Sequence, residues 1–292
     1  MDILLSKEVF QKYFDNLNNH SKDESLTDLF ALINNHNNRF VICKILIEHL
    51  EKRNEGSSYA QVFLLPFLTN IINNQSINIK PQASSGEDLT EDLKNGYKLN
   101  SSITKKDIFL VVALKADTTS TENNYIILDE VNKPNKNWIF LKLAGSHPNS
   151  ISLRWYDFNS NNLVIKTFKE ILSVISSGSQ VDIFDKQVNL DHAFFDAFNQ
   201  NNLVHYYTLF GAYRGNSDSL YSKFKRVKIF TTGNRNHIHE RRILVNNLII
   251  EVDDDFWNLQ PQRNTWKIDV TYCPHVSNKI NEKKGSFVYR IR

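Results

Sequence analysis

The sequence predicts an α+β fold, in which a helical N-terminus leads into an antiparallel or mixed sheet and then into a C-terminal α/β domain. Apolar residues recur at three- and four-residue spacing in residues 1–75, as in helices with one buried face. Between residues 76 and 160 the apolar period is two, in short runs separated by Asn, Pro and Gly. Beyond residue 178, strand-like runs surround a helical segment at 192–200.

The N-terminal region is predicted to hold several helices. One apolar stripe defines the first of them and consists of Leu4, Leu5, Val9, Phe10 and Phe14. The second helix is predicted to begin at Ser25, because Ser25 with Asp28 three residues later resembles a helix N-terminal cap. Residues 39–53 predict a further helix with a basic last turn, and residues 57–72 an apolar helix that is buried and kinked at Pro66.

Strands joined by short hairpins are predicted next, followed by a helix at 163–177. The strand runs are 76–82, 107–117, 124–131, 137–145 and 150–158. A shift in composition then places a domain boundary near residue 178, so that the two domains are 1–178 and 179–292. Strands of the second domain are predicted at 181–185, 203–213, 224–233, 241–252, 266–273 and 286–292, with a turn at Asn246–Asn247 inside the fourth run.

The composition excludes several classes of protein. With 41% hydrophobic and 23% charged residues in a chain of 292, a packed core is expected. The sequence contains no apolar run of 18 residues, so no transmembrane helix is expected. Charged residues interrupt the N-terminal apolar pattern, so no signal peptide is expected. Two cysteines, Cys43 and Cys273, support neither a disulfide scaffold nor a Cys-based zinc site. We therefore expect a cytoplasmic protein, and its 36 asparagines favour short elements.

Positive charge is concentrated in one segment. The whole chain carries +3, but residues 222–242 hold seven basic residues and one acidic residue. A local concentration of cationic donors predicts a site for a phosphate-bearing ligand. The predicted phosphate-binding residues are Lys223, Lys225, Arg226, Lys228, Arg235, His237 and Arg242. The alternative is a solvated strand edge, on which lysines discourage edge-to-edge pairing.

A His-x-Arg pair lies inside this basic segment. His239 and Arg241 are two residues apart, so on a strand their side chains project from the same face. An imidazole beside a fixed cation suits phosphoryl transfer, because the imidazole can attack or protonate while the cation neutralises charge on phosphate oxygens.

The segment resembles the phospholipase D superfamily signature His-x-Lys-x4-Asp, with His239, Arg241 and Asn246 in the three catalytic positions. It is more similar to the phospholipase D-like domain found C-terminal to microtubule-interacting-and-transport domains, and to the bacterial relatives of that domain. There a His-acid-Arg step leads into a strand, an Asn-rich turn and another strand. The upstream run at 181–198 resembles the opening strand of these domains, which ends in an acidic residue, here Asp185. The resemblance covers roughly residues 180–275.

The departures from the signature decide what the resemblance implies. Arg241 replaces Lys, which keeps the charge but changes its geometry, and Asn246 replaces the carboxylate that would orient the histidine. The downstream Gly-Ser-x-Asn of an active half-site is missing, and Asp253–Asp255 stand nearby instead. A single motif would also require a symmetric dimer for activity. The resemblance therefore implies a retained phosphate- or partner-binding surface without hydrolysis.

Three functional hypotheses remain open at this point. The first is a protein that binds nucleic acid or another phosphate-bearing ligand within a prokaryotic defence system or mobile element. The second is a dimeric, metal-independent phosphodiesterase or nuclease with His239 as nucleophile, so whether the chain is an enzyme is uncertain. The third is a protein–protein interaction module.

A different nuclease interpretation concerns the N-terminal domain. An acidic loop at 85–92 precedes strand-like runs that contain Ala113-Leu114-Lys115 and Phe140-Leu141-Lys142. A degenerate metal-dependent nuclease core would place such lysines on neighbouring strands, although the residue two before each lysine is not acidic. The histidines show no metal-ligand spacing and no Gly-rich phosphate loop is present, so no cofactor and no metal are expected.

Overall fold

The structure is a computed structural model that places much of the chain in two units. It describes residues 1–16, 24–35, 37–41, 50–58, 60–64, 66, 109–113, 125–127, 138–155, 161–173, 179–188, 198, 201–238, 241–252, 266–273 and 285–291. Contacts between Cα atoms divide the chain into Met1–Pro148 and Asn149–Arg292. None of the helices in these ranges is both long and apolar enough to cross a membrane.

The first unit contains a four-stranded parallel sheet with the order β2-β1-β3-β4. Its strands are β1 (Asp2–Leu5), β2 (Arg39–Val41), β3 (Phe109–Ala113) and β4 (Tyr125–Ile127). Its helices are α1 (Lys7–Asp15), α2 (Glu24–Asn34) and α3 (Trp138–Gly145), with a short π-helical segment at Ala60–Leu64.

Buried polar caps hold the helices of this unit in place. The Ser6 side chain accepts a hydrogen bond from the Val9 amide and so caps α1. The Asn35 and Asn38 amides are buried, and both donate to the carbonyl of Ala144 at the end of α3, at 2.8 Å. Part of the asparagine excess therefore satisfies backbone groups that would otherwise be buried without a partner.

Several elements of this unit differ from the prediction. Residues 2–5 form a strand that enters α1, and residues 39–41 form a strand rather than the start of a helix. Residues 138–145 form helix α3, not a strand, because a short, mostly apolar run fits either structure and tertiary packing selects one. Strands β3 and β4 run parallel, so no hairpin joins them. In the segment predicted to be buried, Val62 is 62% exposed.

The second unit contains an eight-stranded mixed sheet with the order β12-β8-β7-β6-β9-β10-β11-β5. The strands are β5 (Ser150–Trp155), β6 (Gln180–Phe184), β7 (Leu203–Leu209), β8 (Val227–Thr232), β9 (Arg241–Val245), β10 (Leu248–Val252), β11 (Trp266–Tyr272) and β12 (Val288–Arg290). Helices α4 (Asn161–Ser173) and α5 (Phe210–Lys223) complete it, with a 3₁₀ turn at Arg235–His237. Strands β6, β7 and β8 are parallel, and the other pairings are antiparallel.

Each face of this sheet carries its own aromatic cluster. On the face shared with Ile183, four aromatic rings form a chain in which the centroids of neighbouring rings lie 6.3 to 6.4 Å apart. In order, the rings are those of Phe168, Phe198, Phe224 and Tyr206, and they connect both helices to the sheet. On the opposite face, the Tyr207 ring stacks between two phenylalanine rings, at 4.4 and 4.8 Å, across β6, β7 and β8. Both faces of the central strands are therefore buried by aromatic side chains.

The predicted α+β class is confirmed by these two mixed assemblies of helices and sheets. The structure adds helix α5, which follows β7 directly where the sequence predicts a continuous strand to residue 213. Strand β5 pairs with β11 in the eight-stranded sheet and therefore belongs to the second unit. The predicted domain boundary near residue 178 falls inside that unit and stays a prediction about independent folding.

The predicted turn at Asn246–Asn247 is present as a two-residue hairpin between β9 and β10. The two residues have φ of 46° and 62°, the left-handed region that asparagine tolerates better than alanine. We expect Asn247→Ala to lower the free energy of unfolding by about 1 kcal/mol in urea titrations, and Asn247→Gly to preserve or raise it. Asn236→Ala is the matched control because Asn236 is exposed and lacks a positive φ. An equal loss in both alanine variants would contradict the explanation.

Candidate functional site

The candidate site lies at the carboxyl ends of the three parallel strands of the second unit. Because β6, β7 and β8 run in the same direction, their carboxyl ends meet at one edge of the sheet. Strand β9 runs antiparallel to β6, so its first residue, Arg241, lies at that same edge. In open α/β sheets this edge is where ligands bind.

Asp185 follows the last residue of β6 and is buried, with 1% of its surface exposed. Its carboxylate accepts a hydrogen bond from the Tyr206 hydroxyl at 2.6 Å and another from the backbone amide of Gln187 at 3.1 Å. Its own amide donates to the Tyr207 carbonyl, which continues the parallel register by one residue. The carboxyl group is thus held in one orientation by groups from two adjacent strands.

Burial dominates the electrostatics of this carboxyl group. Removal from water raises the pKa of Asp185 to about 6, although the Tyr206 hydrogen bond, the Gln187 amide and the positive charge of Arg241 all act to lower it. Burial, together with the negative charge on Asp185, also holds the pKa of Tyr206 well above its ordinary value. Tyr206 is therefore a fixed hydrogen-bond donor, and Asp185 changes its charge close to neutral pH.

The strand register extends this polar group into a row. Continuing the pairings by one residue places Arg241 beside Asp185 and Asp185 beside Thr208, and Thr208 pairs with Thr231. All four side chains lie on the same face because side chains alternate along each strand. Both threonines are buried, and the Thr208 hydroxyl has no hydrogen-bond partner among the described residues. We call Arg241, Asp185, Thr208 and Thr231 the strand-end row.

The three residues predicted to be catalytic have different positions. His239 lies outside the described residues, whereas Arg241 is the first residue of β9 and is half-buried in the strand-end row. Asn246 lies in the turn at the other end of β9, about 17 Å from Arg241 for an extended strand of this length. The structure does not bring Asn246 and Arg241 together, and the positive φ of Asn246 gives that residue a role in the turn.

The predicted phosphate-binding residues do not form one strip in space. Lys223, Lys225, Arg226 and Lys228 surround the beginning of β8, while Arg235 and His237 follow its end. The six residues of β8 separate the two groups by about 20 Å. At the second group, His237 Nδ1 lies 3.4 Å from Thr232 Oγ1, and Arg235 is exposed. The cations near the strand-end row are therefore those that follow β8.

Arg242 lies on the opposite face of the sheet from Arg241, since the two are neighbours on one strand. Its Nε donates to Oε1 of Glu251 on the adjacent strand β10. On the same face, His205 Nδ1 lies 3.3 Å from Asp182 Oδ1, without hydrogen-bond geometry. Arg242 is therefore paired and directed away from the strand-end row.

Sequence reasoning missed Tyr206 and two members of the row, Thr208 and Thr231. Tyr206 and Thr208 lie in an apolar run that predicts a strand, and no local signal distinguishes their roles from those of other strand residues.

The interpretation of the first unit as a nuclease core also changes, because Lys142 lies on helix α3 and pairs with Asp28 at 3.3 Å. The acidic loop at 85–92, Lys115 and Asp253–Asp255 lie outside the described residues. Within the described ranges, no group of three His, Cys, Asp or Glu side chains could hold a metal ion.

The raised pKa of Asp185 makes folding stability depend on pH. Between the ordinary pKa of an aspartate and about 6, the folded chain keeps a proton that the unfolded chain releases, so the free energy of unfolding falls as pH rises through that window. Asp185→Asn removes this dependence. From about pH 4 to about pH 7 we expect the variant to gain about 3 kcal/mol relative to the wild type in denaturant titrations.

Asp218→Asn serves as the matched control for this experiment, because Asp218 is an exposed aspartate on α5 of the same unit. Its stability profile is expected to run parallel to that of the wild type. A parallel profile for Asp185→Asn as well would show that Asp185 ionises normally in the folded chain.

No family model matches the chain, and no curated protein matches it. Several solved structures show a distant likeness. The phospholipase D family member Nuc from Salmonella typhimurium is 11% identical with a TM-score of 0.37, over 49% of this chain and 99% of Nuc. NucT from Helicobacter pylori is 9% identical with a TM-score of 0.35, over 48% and 98%. TrmBL2, an archaeal chromatin protein, is 11% identical with a TM-score of 0.32, over 96% and 97%. Likenesses of this size carry no conclusion about the activity of this chain.

Proposed function

We propose that the second unit binds a phosphate group of a nucleic acid at the strand-end row, without hydrolysing it. The observation that carries this proposal is the position of Arg241, which the pairing of β9 with β6 places at the carboxyl ends of three parallel strands beside Asp185. A guanidinium group can donate two parallel hydrogen bonds to phosphate oxygens. The resemblance of the His239–Arg241 segment to phospholipase D-like domains points to the same class of ligand.

Asp185 regulates the strength of this interaction. Ionised Asp185 partly neutralises Arg241 and repels a phosphate, whereas protonated Asp185 leaves the full positive charge to the ligand. Because its pKa is about 6, the balance changes within the pH range of cells.

The groups around Arg241 favour binding without hydrolysis. Asn246, which replaces the carboxylate of the superfamily signature, lies at the far end of β9. The carboxyl group that does neighbour Arg241 is Asp185, and Tyr206 and the Gln187 amide already occupy its oxygens. The chain also carries a single His-x-Arg motif, whereas hydrolysis in the superfamily requires two half-sites.

Arg241→Ala tests the proposal directly. With a fluorescent single-stranded oligonucleotide of about 12 nucleotides, we expect the affinity of the full chain to fall about tenfold, the effect of losing one charge-assisted phosphate contact. The slope of log K against log salt concentration should also fall by about one, since one phosphate contact is lost. Fluorescence anisotropy at two or more salt concentrations measures both quantities.

Arg242→Ala is the matched control for Arg241→Ala. The two arginines are adjacent, and each substitution removes one positive charge, but Arg242 faces the other side of the sheet and pairs with Glu251. We expect its affinity to stay within about twofold of the wild type. An equal loss in both variants would mean that net charge, and not the strand-end row, determines binding.

Hydrolysis has its own test. We expect the wild-type chain to leave single- and double-stranded nucleic acid intact in the presence of EDTA, as judged by denaturing gel electrophoresis. EDTA-resistant cleavage that disappears in His239→Ala would replace the proposal by the metal-independent phosphodiesterase. Cleavage that survives the substitution would indicate a contaminating nuclease, and a repeat with repurified protein would then decide between binding and hydrolysis.

The predicted setting in prokaryotic defence or a mobile element, the cytoplasmic location, the homodimer and a protein partner belong to this proposal as predictions. The same applies to the finer likeness with domains that follow microtubule-interacting-and-transport domains. The proposal itself requires none of them, because a single copy of the second unit supplies the whole strand-end row.

A further inference from the structure

A second group of cations lies at the same edge of the sheet, on the other side of the strand-end row from Arg241. Phe210 is the first residue of α5 and follows directly on β7. The guanidinium carbons of Arg214 and Arg290 each lie 4.5 Å from the centroid of the Phe210 ring. The two positive charges can therefore be no further apart than twice that distance.

Neither of these two charges has an acidic partner in the part of the chain that the structure describes. None of the ion pairs between described residues includes Arg214 or Arg290. Arg290 Nε donates to Thr231 Oγ1 at 2.8 Å, which fixes one guanidinium group at the end of the strand-end row, while Arg214 is exposed. Two cations that converge on one ring repel each other, and an anion bound between or beside them removes that repulsion.

The distance between the two cationic groups indicates the size of the ligand. From Arg241 to Thr231 the row crosses three strand-to-strand spacings, or about 14 Å between Cα atoms. One phosphate cannot span that distance, whereas a nucleic-acid strand carries a phosphate for about every 3.4 Å of helix axis. The unpartnered hydroxyl of Thr208 lies between the two groups.

We infer that Arg214 and Arg290 form a second phosphate subsite, which holds another phosphate of the strand bound at Arg241. This inference rests on the proposed function and adds that the ligand is a polynucleotide and not a mononucleotide. A nucleic-acid strand lies across the carboxyl ends of β6, β7 and β8. The subsite of Arg214 and Arg290 contributes to the affinity for long ligands and not to that for a single phosphate group.

The experiment compares two probes on the full chain, a single-stranded oligonucleotide of about 12 nucleotides and a nucleoside monophosphate that competes for the site. For Arg214→Ala/Arg290→Ala we expect a loss in oligonucleotide affinity of about tenfold or more, and a salt slope reduced by about two. The affinity for the monophosphate should change by less than about twofold. Arg241→Ala, by contrast, should weaken both probes.

Two further variants keep the test decisive. Lys166→Ala/Lys169→Ala removes two exposed cations from α4 of the same unit and serves as the charge-matched control. Arg214→Glu reverses an exposed charge without touching the Arg290–Thr231 hydrogen bond, so it tests the subsite even where the double variant unfolds. We expect Arg214→Glu to weaken oligonucleotide binding by more than the control does.

The outcomes separate the inference from the proposed function. If both arginine variants show the same oligonucleotide affinity and salt slope as the lysine control, the second subsite is overturned. The role of Arg241 in binding is then unaffected. Binding that is unaffected by Arg241→Ala would overturn the proposed function itself. Binding of polyglutamate in preference to the oligonucleotide, lost in Arg214→Glu, would assign the subsite to an acidic protein and overturn the inference.

Discussion

The pairing of strand β6 is the constraint on which the second unit depends. On one side β6 is parallel to β7, and on the other it is antiparallel to β9. This change of direction brings the carboxyl ends of β6, β7 and β8 to the same edge as the beginning of β9. Arg241 and Asp185 are 56 positions apart in the chain numbering yet become neighbours for this reason. Reversing the pairing of β6 with β9 would separate them by the length of a strand.

The site has a cost in stability. Asp185 is held in an apolar environment that disfavours its charged form, and two hydrogen bonds and one nearby cation only partly offset the loss of hydration. Residues that weaken a core but share one edge of a sheet are typical of ligand sites rather than of structural cores.

The parts of the fold that the sequence predicts are those with a local signal. Strands β8 to β11 follow from alternating apolar residues, and the β9–β10 turn follows from two adjacent asparagines with left-handed backbone. Helix α3 lies in a run that predicts a strand, because short, mostly apolar runs show no clear period. For the site, Arg241 and Asp185 each stood out in the sequence, but their contact depends on strand order. Strand order is set by packing between distant segments.

The β9–β10 hairpin has a consequence for how this region can change in length. Its two-residue turn pairs Val245 with Leu248 and so determines which side chains of β9 reach each face. One residue deleted between Arg242 and the turn would move Arg241 to the face that Arg242 occupies, opposite Glu251. The strand-end row would then lose its guanidinium group. Insertions or deletions in β9 are therefore tolerable in pairs, so related chains should differ in this hairpin by even numbers of residues.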